Sequence, residues 1–255
     1  MTTAPNGTPC WYELTTYDPD GAQAFYAAVL GWQVSDAGMP GMDYRLASVG
    51  GDMVAGLWLP ESPGMPTFWM IYFTAADCDA AVAAVKAAGG TVHKAPADIP
   101  GTGRFAVVTD PQGAVFGLLQ PLDAKGNAFD QKQNGHGNWH ELMTADPKAA
   151  MGFYAKLFDW KPGTSMAMGE MGSYDLFSHA GTDIGGMMRL APNMPGPGMP
   201  FWLPYFGTDG IDAAVVRIAS VGGTVVNGPH DVPGGAFIVV ARDPQGAMFA
   251  LVGPR

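Results

Sequence analysis

The chain contains one long sequence pattern twice. The segment WYELTTYDPDGAQAFYAAVLGW at residues 11–32 returns as WHELMTADPKAAMGFYAKLFDW at residues 139–160. A second pair of segments begins with FWMIYF at Phe68 and FWLPYF at Phe201, and each copy then closes on DPQGA. An internal repeat of this length predicts two domains of similar structure.

The charge balance limits the partners of this chain. Its 255 residues include 13 lysine and arginine residues and 23 aspartate and glutamate residues, a formal net charge of −10. Nucleic acids and anionic membrane surfaces attract clustered positive charge, so neither is predicted as a partner. No apolar run approaches the roughly 18 residues of a membrane-spanning helix.

The first residues and the cysteines indicate a compartment. The opening MTTAPNGTP has neither the positive charge nor the apolar run of a secretory signal. Cys10 and Cys78 lie at non-equivalent positions of the repeat and do not suggest a disulfide framework. These features predict a cytoplasmic protein with free thiols.

Each copy is predicted to contain two βαβββ units. Asp18-Pro19 supplies an N-cap and a first-turn proline for the first helix. That helix carries an apolar stripe with helical spacing, formed by Ala22, Phe25, Tyr26, Val29 and Leu30. The other elements predicted for the first copy are strands at 10–16, 32–36, 42–49, 53–59, 68–74, 91–95, 103–109 and 114–120 and a helix at 77–88.

The predicted fold class is α+β, with four βαβββ units in two tandem domains. A stretch rich in Asp, Asn, Gln and Gly separates the copies and is typical of a linker. The predicted boundaries are an N-terminal tail at 1–8, a first domain at 9–121, a linker at 122–136 and a second domain at 137–255.

Four such units resemble the vicinal oxygen chelate superfamily, which includes glyoxalase I, extradiol dioxygenases and bleomycin- and fosfomycin-resistance proteins. The resemblance rests on the strand ending in Asp, the Phe-Tyr helix and the closing Asp-Pro-x-Gly. It implies glyoxalase-like domains, each a cupped mixed β-sheet with flanking helices and a ligand inside the cup. In most enzymes of the superfamily, His, Glu or Gln side chains on these strands hold a divalent metal there.

The metal-ligand positions implied by the resemblance carry other residue types in this chain. Indole, thioether, aliphatic and glycine positions cannot ligate a hard metal ion. No metal and no other cofactor is therefore predicted. The six positions are Trp11, Met70 and Gly117 in the first copy and Trp139, Leu203 and Ala250 in the second.

Strand alternation predicts which residues share the cups with those positions, because residues two apart face the same way. Glu13, Tyr72, Glu141 and Tyr205 are predicted as the catalytic or polar groups. A desolvated glutamate should have a raised pKa, which suits acid–base work or a cationic ligand. The alternative is that both glutamates only hydrogen-bond backbone groups. The residues predicted to line the ligand are Trp11, Met70, Trp139 and Leu203.

A different metal site is conceivable in the second copy, from His136, His140 and Glu141. However, consecutive residues of a strand point to opposite faces, so His140 should face away from the cup. Its counterpart in the first copy is Tyr12, and nothing in that copy matches the set.

Three functional hypotheses remain open. The first is a metal-free protein that binds a small apolar or aromatic molecule in its cups. The second is an enzyme of lyase, isomerase or dioxygenase type that acts on a small carbonyl or aromatic metabolite. It would use the Glu and Tyr groups for acid–base chemistry and a developing oxyanion, or a relocated divalent metal. The third is an interaction protein that kept only the scaffold. The predicted assembly is a monomer or a homodimer.

Overall fold

A computed structural model describes residues 5–60, 64–122 and 126–255. Residues 1–4 of the predicted tail and 123–125 of the predicted linker lie outside the described residues. The elements of the first copy are β1 (Pro9–Thr15), α1 (Pro19–Leu30), β2 (Gln33–Asp36), β3 (Tyr44–Val49), β4 (Asp52–Trp58), β5 (Phe68–Thr74), α2 (Cys78–Ala87), β6 (Thr91–Ile99), β7 (Gly103–Thr109) and β8 (Val115–Pro121).

The second copy repeats this order, with one short 3-10 helix added at Gly169–Met171. Its strands and helices are β9 (Gly137–Thr144), α3 (Pro147–Phe158), β10 (Lys161–Ala167), β11 (Ser173–His179), β12 (Thr182–Arg189), β13 (Phe201–Gly207), α4 (Ile211–Ser220), β14 (Thr224–Asp231), β15 (Phe237–Arg242) and β16 (Met248–Gly253).

The strands form two mixed sheets of eight. The orders are β2-β3-β4-β1-β5-β8-β7-β6 and β10-β11-β12-β9-β13-β16-β15-β14. Within each βαβββ unit the strand before the helix pairs in parallel with the last strand, as β1 does with β4, and the other pairs are antiparallel. The predicted α+β class with four βαβββ units is confirmed.

Local sequence signals set the helix ends. The Asp18 side chain accepts a hydrogen bond from the Gly21 backbone N–H, and Pro19 occupies the first turn. Gly31 ends α1 with a φ of 72°, a left-handed conformation that glycine adopts without strain. The predicted apolar stripe of α1 is buried throughout.

One strand is longer than predicted. The expected strand at 91–95 continues to Ile99 as β6. The added part contains Pro96, which cannot donate a ladder hydrogen bond. The register shifts between Lys94 and Ala97, so the proline lies in an irregularity that tolerates it.

The chain divides into two compact bodies, and each takes one half from each copy. The Tyr154 body contains residues 71–122 of the first copy and 140–202 of the second, together with residues 5–10. The Tyr26 body contains the remaining described residues, at 11–60, 64–70, 126–139 and 203–255.

A buried hydrogen-bond network lies in the Tyr26 body. The Tyr26 hydroxyl donates to Asp243 Oδ2 over 3.0 Å and accepts from Trp69 Nε1 over 2.8 Å. The other oxygen of Asp243 accepts the backbone N–H groups of Gln245 and Ala247. The Phe-Tyr helix of one copy and the Asp-Pro-x-Gly turn of the other are therefore hydrogen-bonded partners.

The Tyr154 body contains the matching network. Tyr154 donates to Asp110 Oδ2 over 3.1 Å and accepts from Trp202 Nε1 over 3.1 Å. Burial raises the pKa of Asp110, and likewise that of Asp243, while backbone N–H groups and the tyrosine hydroxyl act to lower it. Burial and the adjacent carboxylate hold the pKa of each tyrosine well above 10, so both hydroxyls remain donors.

Candidate functional site

Three side chains of the first copy form a hydrogen-bonded chain in the Tyr26 body. Trp11 Nε1 donates to the Tyr44 hydroxyl over 3.0 Å. The same hydroxyl donates to Glu13 Oε2, also over 3.0 Å. Trp11 and Glu13 lie two residues apart on β1 and are half-buried, while Tyr44 begins β3. We call the face of β1, β3 and β4 that carries these three hydrogen-bonded side chains the Glu13 face.

A glycine allows Tyr44 to reach Glu13. Gly56 of β4 lies beside Glu13 in the parallel pairing of β1 with β4. A Cβ atom at Gly56 would lie 2.1 Å from the Tyr44 hydroxyl oxygen. The tyrosine therefore occupies the space that any larger side chain at this position would need.

The environment of Tyr44 fixes the direction of these hydrogen bonds. Burial and the neighbouring Glu13 carboxylate raise the pKa of Tyr44 well above 10, against a smaller lowering by the Trp11 donor. The phenol therefore stays protonated at ordinary pH. It orients the Glu13 carboxylate, and it cannot act as a base or a nucleophile there.

The other predicted residues of the first copy lie on β5. Met70 is buried in the Tyr26 body. Tyr72 is buried in the Tyr154 body, beside Gly117 of β8 in the parallel register. A Cβ atom at Gly117 would lie 2.1 Å from the Tyr72 ring. The ring thus covers this position, which the family resemblance had marked as a metal-ligand position.

In the second copy, Glu141 of β9 is 7% exposed in the Tyr154 body. In the same body, Tyr174 of β11 covers Gly186, where an added Cβ atom would lie 2.3 Å from the Tyr174 ring. This arrangement matches Tyr44 over Gly56.

The remaining predicted residues of the second copy lie in the Tyr26 body. Trp139 is half-buried on β9, and Leu203 and Tyr205 are buried on β13. Tyr205 lies beside Ala250 of β16 in the parallel register. The structure brings Trp11 and Glu13 together, and the joint role of the other predicted residues stays a prediction.

Sequence reasoning missed Tyr44 and Tyr174. The signal was present, since YRLAS at Tyr44 and YDLFS at Tyr174 share a tyrosine, a leucine and a serine at the same spacing. Alternation links residues of one strand, as it links Tyr72 to Met70, but it cannot identify a partner such as Tyr44 on another strand.

The donor groups in this structure do not fit the metal of the fold family. Among residues 5–60, 64–122 and 126–255, no group of three or more His, Cys, Asp or Glu side chains could hold a metal ion. His136 is buried, and its ring lies 3.4 Å from Asp52 and 3.2 Å from the Asn134 carbonyl oxygen. His140 is fully buried and its Nδ1 hydrogen-bonds the Ile184 carbonyl oxygen over 2.7 Å.

An open crevice of about 340 Å³ lies elsewhere, in the Tyr154 body, lined in part by Asp98, Arg104 and Leu122. Arg104 is ion-paired with Asp79 and Asp98, at 2.7 and 2.8 Å. Its charge is therefore already matched, and the crevice contains none of the predicted site residues.

Comparison with known families agrees with this architecture. The sequence profile of the glyoxalase/bleomycin resistance protein/dioxygenase superfamily matches residues 10–118 and 137–251. The chain belongs to this superfamily and carries two tandem glyoxalase-like domains.

Two full-length relatives and one solved structure are similar to the chain. The provisionally named glyoxylase CFP32 of Mycobacterium tuberculosis is 35% identical over 254 residues, covering 97% of this chain and 95% of CFP32. The anthracycline biosynthesis protein DauV of Streptomyces sp. strain C5 is 33% identical over 270 residues, covering 99% and 95%. The 2,3-dioxygenase LapB of Pseudomonas sp. KL28 shares the fold, with a TM-score of 0.69, 14% identity and coverage of 98% and 93%. In the described part of the chain, the helices are too short or too polar to span a membrane.

Proposed function

We propose that this protein binds a small, flat aromatic or apolar molecule on the Glu13 face, through contacts that need no metal ion. The observation that carries the proposal is the Trp11–Tyr44–Glu13 chain. A half-buried indole offers a flat apolar surface for stacking. Beside it, the Glu13 carboxylate is held in place by Tyr44 and gives the same face a polar, negatively charged group.

Two further points support this reading. The residue types at the family's metal positions lack donor atoms for a hard cation. In addition, one full-length relative is named for anthracycline biosynthesis, and anthracyclines are flat polycyclic aromatic compounds. The first point favours binding without a metal ion, and the second favours an aromatic ligand.

Isothermal titration calorimetry with anthracene-2-sulfonate and anthraquinone-2-sulfonate tests the proposal. Both probes are flat, soluble and equally charged. We expect stoichiometric binding that persists after treatment with a chelator. Trp11→Ala should lower the affinity for both probes about tenfold, because a stacking surface is lost. Val216→Ala, an exposed control, should not. If wild-type protein binds neither probe, or if Trp11→Ala changes nothing, the proposal fails.

An enzymatic role is the second candidate, favoured by the hydrogen bond that orients Glu13 toward general acid–base work. In this case wild-type protein would chemically alter anthraquinone-2-sulfonate during incubation, and Glu13→Gln would leave this probe unaltered. Mass spectrometry of the recovered probe distinguishes the two roles, because a binding protein returns it unchanged.

A further inference from the structure

We infer that the Glu13 face selects ligands that carry a carbonyl oxygen, with the indole N–H of Trp58 and the hydroxyl of Thr15 as its hydrogen-bond donors. This inference rests on the proposed function and names the chemical class of its ligand. It is carried by two buried polar groups that the trio of Trp11, Tyr44 and Glu13 does not use.

Among the described residues, only a few buried side-chain polar atoms have no hydrogen-bond partner. Two of them are Thr15 Oγ1 and Trp58 Nε1. Thr15 is 1% exposed. The other two atoms belong to Thr144 and Gln245. Buried polar groups are nearly always paired, so two neighbouring exceptions need an explanation.

These two groups are neighbours on the Glu13 face. Thr15 follows Glu13 by two residues on β1, so both side chains point to the same side of the sheet. Thr15 lies directly beside Trp58 in the parallel pairing of β1 with β4. Adjacent strands are about 4.8 Å apart at the backbone, so the two side chains leave neighbouring positions on the same face of the sheet.

The chemistry of the pair defines the ligand atom. An indole N–H only donates, and a threonine hydroxyl can rotate to donate as well. A carbonyl oxygen has two lone pairs and can accept both hydrogen bonds. Binding such an oxygen would recover the free energy that an unpaired buried donor costs. The matching ligand is therefore a flat aromatic ketone or quinone.

The second copy lacks this pair. Its β9–β12 pairing places Met143 beside Met188, at the positions that Thr15 and Trp58 hold in the first copy. Both methionines are buried and neither side chain offers a strong donor. Carbonyl selection is thus a property of the first copy alone.

The experiment compares the affinities of anthraquinone-2-sulfonate and anthracene-2-sulfonate by calorimetry, since the probes differ in their carbonyl groups. We expect wild-type protein to prefer the quinone. Thr15→Val and Trp58→Phe should each lower the affinity for anthraquinone-2-sulfonate about tenfold. Neither should change the affinity for anthracene-2-sulfonate by more than about twofold. Met188→Leu, the matched control in the second copy, should alter neither affinity.

The failure of this inference differs from the failure of the proposed function. Equal binding of both probes to wild-type protein, or equal loss of both in the variants, overturns carbonyl selection but leaves an aromatic binding site. Absence of binding by both probes overturns the proposed function together with the inference.

A second measurement needs no ligand. Thr15→Val should leave the melting temperature unchanged or raise it, because it removes an unpaired buried hydroxyl. Thr16→Val is the matched control: Thr16 is equally buried, but its hydroxyl accepts the Asp18 N–H over 3.2 Å. The melting temperature of the Thr16→Val variant should fall by about 2–4 °C. An equal loss in Thr15→Val would mean that its hydroxyl is paired within the protein, which overturns the inference.

Discussion

The two copies of the repeat share one tyrosine arrangement and differ in the residues around it. In both, a tyrosine at the start of a strand covers a glycine, as Tyr44 covers Gly56 and Tyr174 covers Gly186. Two residues beyond each glutamate the copies diverge, with Thr15 in the first copy and Met143 in the second. The first copy therefore pairs the polar side chains of Thr15 and Trp58 at a position where the second copy pairs two buried methionines, Met143 and Met188.

The buried networks show no such divergence. Tyr26 lies 3.0 Å from Asp243, and Tyr154 lies 3.1 Å from Asp110. Each network joins halves of both copies within one compact body. These contacts are therefore common to both bodies, while the residues on the sheet faces differ between the copies.

The largest expected effect comes from removing the buried carboxylates. Asp243→Ala and Asp110→Ala should each lower the free energy of unfolding by about 4 kcal/mol, because two backbone N–H groups and a tyrosine hydroxyl lose their acceptor. Urea unfolding measures this. Asp20→Ala, in an exposed ion pair with Arg45, should cost no more than about 1 kcal/mol. A large difference between Asp243→Ala and Asp110→Ala would contradict the equivalence of the two buried networks.

Acidification should destabilise the protein through His140 of the second copy, a residue whose counterpart in the first copy is Tyr12. Burial lowers the pKa of His140 from 6.5 to about 4. Between these values the unfolded chain binds more protons than the folded protein, so stability rises with pH and falls on acidification. The loss from this group should approach about 3 kcal/mol once the pH is below the folded pKa.

The measurement is the difference in unfolding free energy between wild-type protein and His140→Gln from pH 7 to pH 4, which isolates this residue. The raised pKa values of Asp110 and Asp243 act in the opposite direction, since they favour the folded state as the pH falls. They cancel in the difference. A flat difference curve would contradict the prediction.

Adding one methyl group beneath each tyrosine tests which copy binds ligand. Gly56→Ala should displace Tyr44, cost about 2 kcal/mol of stability and weaken both probes about tenfold. Gly186→Ala should have a similar stability cost through Tyr174 and leave probe binding unchanged. Gly152→Ala in α3, where an added Cβ atom meets nothing within 4 Å, serves as the control for stability. Equal loss of binding in both strand variants would place ligand in both copies.

The smallest expected effect follows from making the first copy resemble the second. The double variant Thr15→Met and Trp58→Met should lose the preference for anthraquinone-2-sulfonate, a change of about 1.4 kcal/mol or tenfold. Affinity for anthracene-2-sulfonate should remain, because methionine keeps an adaptable apolar surface. Calorimetry measures both. A preserved quinone preference would show that the carbonyl is recognised elsewhere.

Much of the architecture could be read from local signals. Asp18 and Pro19 predicted where α1 begins, and its apolar stripe predicted the face that is buried. The site was only partly predictable. Glu13 and Trp11 were predictable from alternation along one strand. Tyr44 lies on a separate strand, and the periodicity of that strand does not show which strand it pairs with.

By itself the sequence determined the duplication, the four βαβββ units, the helix caps and the residues at the family's metal positions, since each depends on neighbours along the chain. Only the tertiary structure decided that Tyr26 pairs with Asp243, that Tyr44 joins Trp11 to Glu13, and that Thr15 and Trp58 lie side by side without partners. The physical reason is that strand register and packing bring distant segments together, and a hydrogen bond forms or fails according to distance in space and not in sequence.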